Sequence, residues 1–297
     1  MPNNSHKKTI SLVLGSGGAR GLAHIGIIRW LDEHGYQITS ISGCSIGALI
    51  GGIYAMNKLD DFEQWVCAIR RMDIVKLLDI SWQKNGLVKG DKIINSLIDL
   101  VGNQLIEELP INFTAVATDI QNQKEVWLTS GKLFDAIRAS ISLPLFFTPV
   151  HRNGINLIDG GVLNPVPIAP TFGDATDITI AVNLNGTIQV SQEKPQENLV
   201  EPNPFYEKIR HFIDQFSGSE KALEQPDWGM YDIANQAFDA MQTAISRQKL
   251  AAYPPDYLIE IAGNACGTLE FERAKEMIAL GYQMADQQLT ELITNES

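Results

Sequence analysis

The chain has 297 residues, 44% of them hydrophobic and 20% charged, the balance of a soluble globular protein whose core needs neither disulfides nor metals. A formal net charge of −12 excludes nucleic acid as a natural partner, because phosphate binding needs clustered Lys and Arg. The same charge gives anionic membranes no long-range pull on the protein, so any meeting with lipid has to rest on apolar contact.

Met1 to Thr9 carries His6, Lys7 and Lys8, but the apolar run behind it reaches Gly15 too soon for a secretory h-region. The expectation is a cytoplasmic protein, either free or peripheral to a membrane. Thr9–Leu14 is rich in β-formers and predicts a strand, followed by a glycine-rich turn. Leu22–His34 then predicts a helix, with Leu22, Ile25, Ile28 and Leu31 on one face. Ile38–Ser42 reads as a second strand and Ile46–Met56 as its helix, far below the ~20 residues that span a bilayer. Strand, turn and helix repeated in this order imply a parallel sheet covered by helices.

Phe62 to Leu105 predicts mostly helix, broken around Asn85-Gly86. Strands are expected at Phe113–Thr118, Lys124–Leu128, Ile155–Ile158 and Ile178–Leu184, and a helix at Lys132–Ser140. Pro144 and Pro149 stiffen a loop that holds Leu145, Phe146 and Phe147. From Gln189 to Pro204 the chain turns polar and proline-rich, the pattern of a mobile loop. Helices at Phe205–Phe216 and Met230–Leu250, a strand at Tyr257–Ile261 and a helix at Glu270–Leu289 complete the chain. Phe205, Ile209, Phe212, Ile213 and Phe216 share one helical face, which reads as core, as a lipid-docking lid or as a dimer contact. Without repeats or a linker, residues 1–297 read as one domain.

Two glycine-flanked signatures carry the chemistry. Gly43-Cys44-Ser45-Ile46-Gly47 is a G-x-S-x-G between a strand and a helix, the setting of a nucleophile elbow. A serine hydroxyl attacks only with a base to take its proton, and the helix start beyond it favours developing negative charge. Asp159-Gly160-Gly161 places a carboxylate at a strand end as the candidate base; by itself the same tripeptide also describes a plain turn. The loop Gly15-Ser16-Gly17-Gly18-Ala19-Arg20-Gly21 can turn backbone amides toward an oxyanion. It does not fit the dinucleotide fingerprint G-x-G-x-x-G in either register. Of the histidines, only His211 follows Asp159 in the order a Ser-Asp-His triad requires, while His24 and His151 read as structural or surface residues.

Together these motifs resemble the patatin-like phospholipases, bacterial members in particular. The resemblance extends to Arg138-Ala139-Ser140-Ile141-Ser142-Leu143-Pro144, to Val162-Leu163-Asn164-Pro165-Val166-Pro167 and to Phe271-Glu272-Arg273-Ala274, and is least at residues 186–228. It implies a three-layer α/β/α fold with a mostly parallel central sheet and a Ser-Asp dyad, with Ser45 as nucleophile and Asp159 as base. Gly17, Gly18 and Ala19 would supply oxyanion amides and Arg20 would shape the loop. Ser16 stands where the family pattern has glycine. Neither metal nor cofactor is implied. The expected partner is an acyl lipid, phospholipid or lysophospholipid, whose carboxylic ester is cleaved. An acyl thioesterase or transacylase on the same dyad, and a non-catalytic lipid-binding regulator, remain the alternatives.

Overall fold

The structure is a computed structural model that describes residues 7–77, 88–189 and 230–290. The Asn85-Gly86 break, nearly all of the polar stretch 189–204, the helix expected at 205–216 and His211 lie outside the described residues.

The alternation of apolar strands and helices sets up a sheet of eight strands. Strand β1 (Thr9–Leu14) leads through the glycine loop to α1 (Ala23–Glu33), β2 (Gln37–Cys44) and α2 (Ile46–Ala55). Helices α3 (Leu59–Ala68), α4 (Arg71–Leu77) and α5 (Asp91–Val101) follow, then β3 (Asn112–Asp119), β4 (Lys124–Leu128) and α6 (Leu133–Ser140). The short β5 (Val150–Arg152) and β6 (Ile155–Asp159) form a hairpin before β7 (Ile178–Gly186). Helix α7 (Met230–Ala252), β8 (Tyr257–Ala262) and α8 (Ala274–Gln288) complete the described chain.

Strands β3, β2, β1, β7 and β8 are parallel neighbours in that order. Their residues are largely buried on both faces, as helices covering both sides require. Leu12, Val13 and Leu14 of β1, at the centre of the sheet, are all fully buried. Helix α1 was expected to bury one stripe, and it buries nearly all round: Ile25, Ile27, Ile28, Trp30 and Leu31 are each 0% exposed. The reason is that α8 packs over its far side, so α1 is an inner helix.

The sheet changes character at β3. Residues Ser40–Cys44 of β2 run parallel to Asn112–Val116 of β3. Beyond that point β6 takes over, antiparallel, with Asp159 opposite Ala117. Cys44 therefore faces Val116, and Asp159 faces the very next residue of β3. Two strands approaching from opposite directions end against each other on one strand's edge. That junction brings residues 45 and 159 together across more than a hundred positions of sequence.

Candidate active site

Ser45 sits between the last residue of β2 and the first of α2 with φ 55° and ψ −123°, a conformation that a residue with a Cβ adopts only under constraint. Three features hold it there. Its N–H donates to Ser140 Oγ at 2.9 Å, and that hydroxyl donates onward to the Val116 carbonyl at 2.6 Å. Its carbonyl accepts from the Leu49 N–H at 3.1 Å, opening α2. Gly47 lets the turn lie on β1, since a Cβ built there would stand 2.1 Å from the Leu14 carbonyl oxygen.

The result is that Ser45 Oγ donates a 2.5 Å hydrogen bond to Asp159 Oδ2. The other carboxylate oxygen accepts from the Gly161 N–H at 2.7 Å, and Cys44 Sγ lies 3.9 Å from it. Asp159 is fully buried. Burial pushes its carboxyl up to about 6, against the opposing effect of the hydrogen bonds from Ser45, Gly161 and Cys44. Such a carboxylate is charged at neutral pH and is a far better proton acceptor than one in water. Burial, with the Asp159 charge next to it, drives the Cys44 thiol well above its ordinary range, so the neighbouring sulfur stays protonated.

The glycine loop leaves β1 with its backbone tied down at intervals. The Gly15 N–H bonds the Val182 carbonyl at 3.1 Å and the Ser16 N–H bonds the Pro165 carbonyl at 2.8 Å. Gly18 has φ +57°, and Gly18–Leu22 forms a short 3-10 helix. No acceptor pairs with the Gly17 or Gly18 amide among the described residues. Ala19 differs from the expectation, because its N–H is already engaged by the Thr268 carbonyl at 2.9 Å. An amide held by a peptide carbonyl has no hydrogen to offer an oxyanion, whereas the Gly17 and Gly18 amides remain unengaged among the described residues. The Arg20 guanidinium is buried, with Nη1 donating to the Cys266 carbonyl at 3.2 Å and Nη2 facing Asp239 at 3.8 Å. It braces the loop, and desolvation lowers its pKa.

His24, on α1, is fully buried with Nε2 2.9 Å from the Gly15 carbonyl. Burial pushes it down to about 4, so the neutral ring donates Nε2–H and supports the loop from behind. His151 is exposed and meets Asn156 at 3.1 Å. No group of three or more His, Cys, Asp or Glu among the described residues could hold a metal ion.

Three contributors escaped the sequence reading. Ser140 lies inside the Arg138–Pro144 stretch, whose sequence alone gives it no role. Thr268 acts through its carbonyl, which no side-chain pattern reveals. Gln242 on α7 is 3% exposed and donates from Nε2 to Ser16 Oγ at 3.1 Å. A polar residue on the inward face of a helix was its only signal.

The sequence profile of the patatin-like phospholipases matches residues 12–172, a span that includes both Ser45 and Asp159. A relative in Mycobacterium tuberculosis, described as an uncharacterized NTE family protein, is 36% identical over 96% of this chain and 92% of its own length. A fungal lysophospholipase, NTE1 of Coccidioides immitis, is 27% identical over 96% of this chain, which spans only 18% of that protein. Among solved structures, VipD from Legionella pneumophila aligns over 96% of this chain and 67% of its own, with TM-score 0.45 and 16% identity.

Proposed function

The chain belongs to the patatin-like phospholipase family, which makes it a lipid hydrolase, and we propose that Ser45 and Asp159 are the pair that cleaves the carboxylic esters of its fatty acyl substrates. The observation that carries this reading is the 2.5 Å bond from Ser45 Oγ to a buried carboxylate, on a serine held at φ 55°. A binding protein needs neither the constrained elbow nor the matched proton acceptor.

The geometry supports the following chemistry. Ser45 Oγ attacks the acyl carbonyl carbon as its proton passes to Asp159 Oδ2. Charge gathers on the carbonyl oxygen, which the Gly17 and Gly18 amides and the start of α2 stabilise. Collapse of the tetrahedral species expels the alcohol, which leaves with the proton from Asp159. Water then attacks the acyl-serine, giving its proton to Asp159, and the fatty acid departs as Ser45 regains its hydrogen. Phospholipid or lysophospholipid is the substrate class that fits the family and the lysophospholipase activity named for the fungal relatives.

Contact with a lipid surface rests on apolar residues. Leu145 is 61% exposed on the loop that follows Ser142, and the Ser142 carbonyl accepts the Asp159 N–H at 2.9 Å. No helix among the described residues is long and apolar enough to cross a membrane.

The test is mass spectrometry after exposure of the wild type, Ser45→Ala and Asp159→Asn to a fluorophosphonate, followed by product analysis with phospholipid, lysophospholipid and acyl-CoA. Label on Ser45, lost in the alanine variant and slowed in the asparagine variant, with fatty acid released from the phospholipids, is the expected result. A folded wild type that takes no label would remove Ser45 as nucleophile. Preferential hydrolysis of acyl-CoA would replace the ester substrate with a thioester.

A further inference from the structure

The face that α7 turns inward is polar, where a covering helix is ordinarily apolar. Asp239, Gln242, Ser246 and Lys249 recur at helical spacing along it, and Gln242 and Ser246 are 3% and 0% exposed. A buried amide is costly unless it is paired, so the partners chosen are informative. Gln242 Nε2 donates to Ser16 Oγ at 3.1 Å, and Asp239 faces Arg20 at 3.8 Å. Lys249 Nζ meets Glu125 at 2.6 Å, and Glu125 accepts from Asn164 Nδ2 at 2.9 Å. Two of these ties end on the glycine loop. The third reaches, through Glu125, the segment just past Asp159.

Ser16 is the residue of the loop run Ser16-Gly17-Gly18 that carries a side chain. A glycine would give α7 nothing to hold. Here the residue is fixed twice, by its N–H on the Pro165 carbonyl and by its hydroxyl on Gln242. Directly after it come Gly17 and Gly18, whose amides have no acceptor among the described residues. The junction also touches the acid. A Cβ built on Gly161 would stand 2.2 Å from Gln242 Nε2, 2.8 Å from Ser16 Oγ and 3.0 Å from Asp159 Oδ1, so all three converge over one glycine.

We propose that Gln242 is a positioning residue for the hydrolytic reaction, and that its hydrogen bond to Ser16 Oγ holds the Gly17 and Gly18 amides in place for the oxyanion. The inference rests on the hydrolase reading above and adds to it an element, α7, that contributes no reacting group. Oxyanion donors work only when fixed before the charge arrives; the pair is pinned by backbone on both sides, at Ser16 and Ala19, and the Ser16 side-chain bond to Gln242 adds a third tie.

The experiment compares wild type, Gln242→Ala, Ser16→Gly and the double variant on a medium-chain p-nitrophenyl ester, and measures inhibition by an alkyl trifluoromethyl ketone, whose adduct carries an oxyanion. Each single variant is expected to lose about tenfold in kcat with KM changed by less than about twofold, and to bind the ketone about tenfold more weakly. The double variant is expected to be no worse than either single, because both remove the same bond. Ser16→Ala, which leaves α7 intact, carries the same expectation should Gln242→Ala not fold. Losses that multiply in the double variant, or wild-type kcat in Ser16→Gly and Ser16→Ala, overturn the inference and leave the hydrolase reading standing. A folded wild type that neither turns over ester nor takes a fluorophosphonate on Ser45 overturns both.

Discussion

In the proposed reaction Asp159 does the work that a histidine does in the more familiar serine hydrolases, and its surroundings account for that. In water an aspartate of pKa ~3.9 is too weak a base to draw a proton from serine. In this site burial raises it to about 6 while three hydrogen bonds keep it oriented on Ser45. Because the pKa is raised, the carboxylate is the active form above it and is lost by protonation below it. The value of kcat/KM should therefore rise about tenfold per pH unit up to about 6 and level off above, as in any reaction needing one ionised base. A pH profile on a soluble ester measures this, and a limb near the ordinary aspartate value of ~4 would contradict the desolvated base. Ser45 and Asp159 were legible as residues because glycines flank them and strands deliver them. Their pairing came only through the family resemblance, since Asp-Gly-Gly also describes a turn and nothing local gives a distance. Ser140 and Gln242 were hidden for a different reason: a hydroxyl or amide serving another backbone leaves no pattern in its own neighbourhood.

At the level of elements, the site is a product of register. Cys44 and Asp159 oppose consecutive residues of β3 because β2 stops where β6 begins. The parallel strands and their helices could be read from apolar runs and 3.6-residue periodicity, and their bounds agree with the sequence expectation to within a few residues. The reversal at β6 could not, because antiparallel pairing is decided by which strands meet and not by the pattern within any one. Strand β5 was missed because three residues, Val150-His151-Arg152, are too few to show alternation. The polar face of α7 looks, in sequence, like a face turned to solvent. The tightest element contact at the site is α2 on β1 through Gly47, where a Cβ would come within 2.1 Å of a backbone oxygen that cannot swing aside. Gly47→Ala should cost about 3 kcal/mol, the upper end of ordinary overpacking, read as a fall in denaturant midpoint at unchanged slope. Gly173→Ala, with nothing within 4 Å of its Cβ and no positive φ, should leave the midpoint alone. Equal effects in the two variants would mean that α2 does not lie on β1 as closely as this.

For the whole molecule, two buried groups on either side of the glycine loop make opposite demands on pH. His24 titrates near 4 in the fold and near 6.5 in the unfolded chain, so it is neutral in the one and protonated in the other throughout the interval between. Its contribution to stability is complete above 6.5 and is lost as pH falls toward 4. Asp159 runs the other way. Its folded value of about 6 lies above the unfolded ~3.9, so its contribution is complete below 4 and is lost as pH rises through 6. Between pH 4 and 6 the folded state gains one proton on Asp159 relative to the unfolded chain and lacks one on His24, and the two slopes of about 1.4 kcal/mol per unit cancel. The site thus combines a perturbed carboxyl with a perturbed imidazole without making the fold steeply pH-dependent through either. Removing one partner should expose the other. Asp159→Asn should gain stability relative to wild type by about 1.4 kcal/mol for each unit of rising pH between 4 and 6. His24→Gln, whose amide can still donate to the Gly15 carbonyl, should lose stability relative to wild type at that rate over the same interval. Urea melts of the three proteins at half-unit steps supply the slopes, and taking differences against wild type removes the titration of every other carboxylate. Parallel curves for wild type and Asp159→Asn would mean that Asp159 ionises in the fold as it does in water, and a site built on a desolvated base would lose its physical ground.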